Sequence, residues 1–152
     1  MPTGRKRPAG FTLVELLVVL VVASLALALV GTSISRNISG AEMRTSARKV
    51  AAGLRYTRTH AILSKSEQVF MVDIENKSYQ MPKKEFVNLP EQMEVELNTA
   101  RSELTSESVG GIRFYPDGGS TGGNVRLSAN GRIYRVAVAW LTGEASVTVE
   151  EE

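Results

Sequence analysis

Gly10-Phe11-Thr12-Leu13-Val14-Glu15 opens an apolar run that ends near Gly31. From Leu16 to Leu29 the only polar residue is Ser24. Phe11 to Gly31 is about 21 residues, and at ~1.5 Å rise per residue a helix of that length covers the ~30 Å hydrocarbon core of a bilayer. One acid, Glu15, stands early in this run. A carboxylate in a hydrocarbon segment is expensive, so it is expected to have a partner or a task. Ahead of the run, residues 1–10 are polar, with Pro2, Pro8 and the basic triplet Arg5-Lys6-Arg7. They show no periodicity and read as a targeting leader rather than as folded structure. A basic leader stays on the cytoplasmic side, which puts the C-terminal part of the chain across the membrane.

Ala26-Leu27-Ala28 offers a rival reading, a small-x-small site for an ordinary secretory signal peptidase. The mature protein would then begin near Leu29 and be soluble. That alternative leaves Glu15 without a role, because the hydrophobic regions of simple signals avoid acids.

Helical character continues past the apolar run. Ile34, Ile38, Ala41, Ala47, Ala51, Leu54, Ala61 and Ile62 recur at three- and four-residue steps, with a wider gap after Ala41. No Pro occurs between Phe11 and Met81, so a single helix from Phe11 to about Ser64 is expected. Its first half, 11–31, is hydrophobic all round. Its second half, 32–64, is amphipathic and needs a sheet to cover its apolar stripe. Gly40 and Gly53 weaken it slightly.

After Ser66 the period changes to that of strands. Gln68–Asp73 and Ser78–Met81 read as a hairpin around Glu75-Asn76-Lys77. Pro82 and Pro90 bracket an irregular segment, and Glu91–Leu97 alternates like a half-exposed strand. Asn98–Gly111 is polar and loop-like. Ile112–Tyr115 is a strand closed by Pro116, and Asp117–Asn124 is a glycine-rich connection. Val125–Ala129 and Arg132–Leu141 pair through Asn130-Gly131, a strong hairpin dipeptide, and Glu144–Val149 is the last strand. One long N-terminal helix followed by antiparallel strands is an α+β arrangement. The divisions are a leader at 1–10, an apolar helical half at 11–31, an amphipathic half at 32–64 and a β-rich domain at 65–152.

The chain has no cysteine, which excludes a disulfide framework and a thiolate metal site. Its formal charge of +2 becomes −1 once Arg5, Lys6 and Arg7 are removed with the leader. Charge is segregated along the chain. From Arg36 to Lys65 seven bases face the single acid Glu42, whereas acids predominate afterwards and the chain closes on Glu150-Glu151-Glu152. Basic residues on an amphipathic helix form a solvated face or meet acidic partners, such as Glu91, Glu94 and Glu96 of a neighbouring domain. The acidic end would repel phosphates, so nucleic acid is not an expected partner.

No catalytic constellation emerges. Asp117–Gly123 lacks the Gly-Lys-Ser/Thr ending and the following helix of a phosphate loop, and no dense carboxylate set surrounds Asp117. His60 is the only histidine, without the acid and nucleophile a catalytic site requires. It reads as a helix-surface or packing residue. Trp140, in the alternating Val136–Leu141, is expected in the core. No catalytic residue, metal site or cofactor is therefore assigned.

Gly10-Phe11-Thr12-Leu13-Val14-Glu15, behind its basic leader, resembles the processing signature of type IV pilins and type II secretion pseudopilins. Gly111–Gly123, Val125-Arg126-Leu127 and Trp140-Leu141-Thr142-Gly143 are similar to the C-terminal domain of the minor pseudopilin H group, which includes FimT-type minor pilins. The resemblance implies cleavage between Gly10 and Phe11 by a prepilin peptidase, N-methylation of Phe11, and pairing of Glu15 with the N-terminal amine of a neighbouring subunit. The alternative for Glu15 is a carboxylate snorkelling toward the headgroups. The resemblance also implies a structural, non-enzymatic subunit of the periplasmic pseudopilus of type II secretion, in contact with lipid through residues 11–31. Its implied location is the bacterial inner membrane, single-pass, with the N-terminus cytoplasmic and the C-terminal domain periplasmic. Its implied partners are other major and minor pseudopilins, the prepilin peptidase and the inner-membrane assembly platform. The alternative within the same architecture is a FimT-type minor pilin of type IV pili, some of which bind DNA in transformation.

Overall fold

The computed structural model describes residues 12–32 and 38–151, with the side chains of 26–32 and 151 left aside. The chain divides into two units, Met1–Arg36 and Asn37–Glu152. In the first, helix α1 spans Leu13–Thr32. Thr12 caps it: the Glu15 N–H donates to Thr12 Oγ1 (3.3 Å) and the Leu16 N–H to the Thr12 carbonyl (3.2 Å). Side chains from Thr12 to Leu25 are all exposed, including Leu13, Leu16, Leu20 and Leu25. An α-helix apolar on every face has no core to bury against within its own unit, and its natural surroundings are lipid or other helices. Counted over the described residues, no helix is long and apolar enough to cross a membrane.

In the second unit, helix α2 spans Gly40–Ser64. The unbroken helix expected from Phe11 to Ser64 is therefore two helices. Ser39 has extended backbone (φ −72, ψ 149), and its side chain accepts the Glu42 N–H at 3.1 Å. Ser39-Gly40-Ala41-Glu42 has the spacing of a capping box, a start signal that the absence of proline had overshadowed. Residues 33–37 lie outside the described set. At the other end Lys65 adopts the left-handed conformation (φ 51), and the Ser66 N–H bonds the Ala61 carbonyl, closing the helix.

Eight strands follow: β1 Gln68–Asp73, β2 Ser78–Gln80, β3 Phe86–Asn88, β4 Glu94–Asn98, β5 Val109–Phe114, β6 Gly123–Ala129, β7 Arg132–Val138 and β8 Ala145–Glu151. They make two antiparallel sheets, ordered β3-β2-β1-β5 and β4-β6-β7-β8. Strand β3 arises inside the segment read as irregular, pairing Tyr79 with Val87. Strand β4 begins three residues later than the alternation suggested. Strand β5 reaches back to Val109 because Phe70, Met71, Val72 and Asp73 of β1 pair with Ile112, Gly111, Gly110 and Val109. The remainder of the expected 98–111 loop holds a 3-10 turn, Arg101–Glu103. The first hairpin turns at Asn76, whose backbone and side-chain N–H groups both bond the Asp73 carboxylate and hold its pKa below the usual range.

Helix α2 lies against both sheets and seats the core. Its buried residues are Met43, Ser46, Ala47, Val50, Ala51, Gly53, Leu54, Thr57 and Ala61. Met43 and Val50 belong to this stripe although the sequence reading passed over them, whereas Ala41 and Ile62, which it included, are exposed. Gly53 has a packing reason: a Cβ there would lie 2.8 Å from the Phe70 ring. The helical cost of glycine, about 1 kcal/mol, is exchanged for closer approach of helix and sheet. Thr57 is fully buried, and its hydroxyl is satisfied by the Gly53 carbonyl at 2.8 Å. Phe70, Phe114, Leu127, Val125 and Val136 complete the core from the two sheets.

Candidate functional site

Gly10 and Phe11 lie outside the described residues. Glu15 sits in the first turn of α1, exposed, and its bond to Thr12 is made by its backbone N–H. Its carboxylate therefore stands among exposed leucines and valines, in surroundings that favour a cationic partner. Farther along, Leu17, Leu20, Val21, Ser24 and Leu25 line a shallow groove on one side of the helix. The Ser24 hydroxyl donates to the Leu20 carbonyl at 2.7 Å. The one polar interruption is thus satisfied inside the helix, as an apolar environment demands, and its small side chain leaves room for a neighbour.

On α2, Arg44, Arg48 and Lys49 are exposed and enter no ion pair among the described residues. Two other bases of this helix hold the fold together. Arg55 Nη2 donates to the Ala145 carbonyl and Arg58 Nε to the Gly118 carbonyl, each at 3.0 Å. Of the acids suggested as partners for these bases, Glu96 is already paired with Arg126 at 2.9 Å. That pair begins a charged row across the second sheet, in which Glu150 links Arg126 and Arg135. It offsets two arginines that face each other directly on β6 and β7. Glu91 and Glu94 remain exposed. A second cluster lies on β5, where Arg113 bonds the buried Glu103 (3.1 Å) and Glu67 (3.0 Å). The bonded carboxylates, Glu103 foremost, raise the Arg113 pKa further.

The glycine-rich connection acts as a cradle. Loop 115–122 is closed on itself by Tyr115 N–H to Gly119 carbonyl (2.9 Å) and by Gly119 N–H to Asp117 Oδ1 (2.9 Å). It grips the turn between β7 and β8 through Ser120 N–H to the Trp140 carbonyl (2.8 Å) and Ser120 Oγ to the Ala139 carbonyl (3.3 Å). That turn is itself closed by the Gly143 N–H on the Ala139 carbonyl (2.8 Å). Gly143 is required twice over. Its φ is +64, and a Cβ would strike the Gly118 carbonyl. Trp140 is not in the core, as expected from its alternation. Strand β7 ends at Val138, so Trp140 and Leu141 fall on the turn, 70% and 69% exposed. The sequence signal for the loop was its run of glycines, whereas nothing in the sequence announced its contact with the 139–143 turn or the reach of Arg58 to the Gly118 carbonyl.

His60 is half-buried with its ring 5.9 Å from that of Tyr56, a packing role. Among the described residues no three His, Asp or Glu side chains are grouped to hold a metal ion.

The match to known proteins follows these two regions. The prokaryotic N-terminal methylation motif matches residues 5–31. The chain is 35% identical over 143 residues to the type II secretion system protein H of Xanthomonas campestris pv. campestris, covering 94% of this chain and 85% of that protein. Its fold matches the minor pseudopilin EpsH from the type 2 secretion system of Vibrio cholerae with a TM-score of 0.53 at 14% identity, over 72% of this chain and 97% of that one. Residues 46–143, which run from the core face of α2 through strand β7 to Gly143, match the family described as Type II transport protein GspH, and the chain belongs to that family.

Proposed function

We propose that this chain is a minor pseudopilin, a structural subunit of the periplasmic filament of type II secretion. The observation that carries the reading is α1, whose side chains are exposed on every face from Leu13 to Leu25, joined in sequence to a domain with its own closed core. Such a helix suits an anchor that passes from lipid into a bundle of like helices. The run 11–31 crosses the inner membrane once, with residues 1–10 in the cytoplasm and the β-rich domain in the periplasm. A prepilin peptidase cuts between Gly10 and Phe11, and Phe11 is then N-methylated. Glu15 pairs with the amine of a neighbouring subunit's first residue as helices pack. The partners are other pseudopilins, the peptidase and the inner-membrane assembly platform. The chain works by packing rather than by catalysis, and the filament pushes folded proteins outward.

N-terminal sequencing and intact mass of the membrane-extracted protein test this. A chain beginning at N-methylated Phe11 is expected. One beginning near Leu29, or still carrying Met1, would overturn the reading.

A further inference from the structure

A cleft of about 290 Å³ opens between the first half of α2 and the β2–β3 side of the first sheet. Tyr79 of β2 and its cross-strand partner Val87 of β3 line it from the sheet, and Glu42, Ser46 and Lys49 line it from the helix. Tyr79 is 4% exposed, with its ring stacked on Phe70 in the core at 5.3 Å between centroids. Its hydroxyl has no hydrogen-bond partner among the described residues, and burial pushes its pKa up. Ser46 is 6% exposed. Its hydroxyl is also unpartnered among the described residues, whereas that of neighbouring Thr45 bonds the Ala41 carbonyl at 2.8 Å. Neither oxygen is among the sealed, unbonded side-chain atoms of the described residues, which are His60 Nδ1, Arg126 Nε and Arg135 Nε. Both therefore open on the cleft that their residues line. Buried hydroxyls are bonded as a rule, so two unbonded ones on a single cleft call for a partner from outside. One bridging water, at ~30 Å³, would leave most of the space unfilled.

The charges on the helix side choose the ligand. Glu42 and Lys49 are exposed and enter no ion pair among the described residues. They lie seven residues apart on nearly the same face of α2, with Ser46 between them. At ~1.5 Å rise per residue that is roughly 10 Å along the axis. An extended peptide spans ~3.3–3.6 Å per residue, so about three residues match the separation. We propose that this cleft binds a free zwitterionic peptide of about three small residues. Lys49 takes its carboxylate, Glu42 its ammonium group, and the Ser46 and Tyr79 hydroxyls the backbone amides between them. A ligand with a single charge would leave Glu42 or Lys49 unanswered, and an apolar one would leave both hydroxyls unbonded. The site belongs wholly to the second unit and is independent of the filament role.

The test is a calorimetric titration of the full chain, purified in detergent, with trialanine. Expected is saturable one-to-one binding with a dissociation constant of about 1 mM or below, the range of a small ligand of modest efficiency. Lys49→Gln should weaken it about tenfold, as loss of a charge-assisted bond does. Tyr79→Phe keeps the ring on Phe70 and removes only the hydroxyl, and should weaken it about fivefold. Lys49 is exposed, so Lys49→Gln keeps the fold and remains decisive if Tyr79→Phe lowers the thermal midpoint. Arg48→Gln, at an exposed position outside the cleft, should bind like the unchanged protein. Trialanine acetylated at its amine, or amidated at its carboxylate, should bind about tenfold more weakly. A capped form that binds as tightly as trialanine would identify the ligand as the end of a protein chain and overturn the proposal. Absence of binding up to about 10 mM would overturn it too, as would Lys49→Gln binding trialanine like the unchanged protein.

Discussion

Thr12-x-x-Glu15 opens α1 and Ser39-x-x-Glu42 opens α2, and in both the hydroxyl accepts the N–H of the acid three residues on. From the same start the two helices diverge. Helix α2 buries one stripe, Met43 to Ala61, against two sheets and leaves Arg44, Arg48 and Lys49 in water. Helix α1 exposes leucine and valine on every face. Glu42 is an ordinary first-turn acid, favoured by the partial positive charge of the helix N-terminus and solvated. Under the proposed membrane anchoring, Glu15 has the same local geometry in surroundings that would not solvate it. Helix capping therefore accounts for an acid at the start of α1 but not for tolerating its charge among leucines. The difference between the two glutamates lies in what surrounds the helix, and that is where a functional demand on Glu15 enters.

The largest expected effect separates the two acids. Glu15→Val should remove the subunit from the filament, with at least a tenfold loss of its in-cell crosslinks to other pilin-like subunits, while the protein is still inserted and its second unit still folds. Glu42→Val should enter normally. If Glu15→Val assembles like the unchanged protein, the pairing role is wrong and the two glutamates are equivalent caps. Next in size is a core comparison. Leu54 is fully buried, so Leu54→Ala should cost about 3 kcal/mol. Leu20→Ala, on exposed α1, should leave the second unit within ~0.5 kcal/mol. Near-UV circular dichroism of the buried tyrosines, Tyr79 and Tyr134, reads both. A loss with Leu20→Ala comparable to that with Leu54→Ala would mean that the units do not fold independently.

Much of this architecture was legible in the chain because the signals were local. The apolar run, Asn130-Gly131 between alternating segments, and the change of period after Ser66 each depend on a few adjacent residues. What escaped depended on partners distant in sequence. Strand β3 exists because β2 offers it an edge, and nothing in Phe86-Val87-Asn88 alone announces that. Trp140 continued an alternation that β7 abandons at Val138, because the turn is drawn against Ser120, twenty residues earlier. Arg58 reads as one more helix base, yet it reaches the Gly118 carbonyl sixty positions away. The proposed processing junction was the reverse case: Gly10-Phe11 is read only as a sequence motif and lies outside the described residues.

The smallest effect tests the break between the helices, and it does so by its sign. In a continuous helix position 39 would be interior, where alanine is a better helix former than serine, so Ser39→Ala would stabilise by a few tenths of a kcal/mol. In a capped helix the same change takes the side-chain acceptor from the Glu42 N–H, which keeps only the Ser39 carbonyl, and costs about 1 kcal/mol. The structure predicts the second result, with Ser39→Asp close to neutral because its carboxylate restores the acceptor. Thermal unfolding of the second unit in the three proteins decides it. A destabilised Ser39→Ala rescued by Ser39→Asp establishes the cap, whereas a stabilised Ser39→Ala would restore the single long helix. An unchanged midpoint would shift the weight to Asn130, whose side-chain N–H donates to the Ile38 carbonyl at 3.0 Å and ties the approach to α2 onto the β6–β7 hairpin. Asn130→Ala would then carry the loss that Ser39→Ala did not.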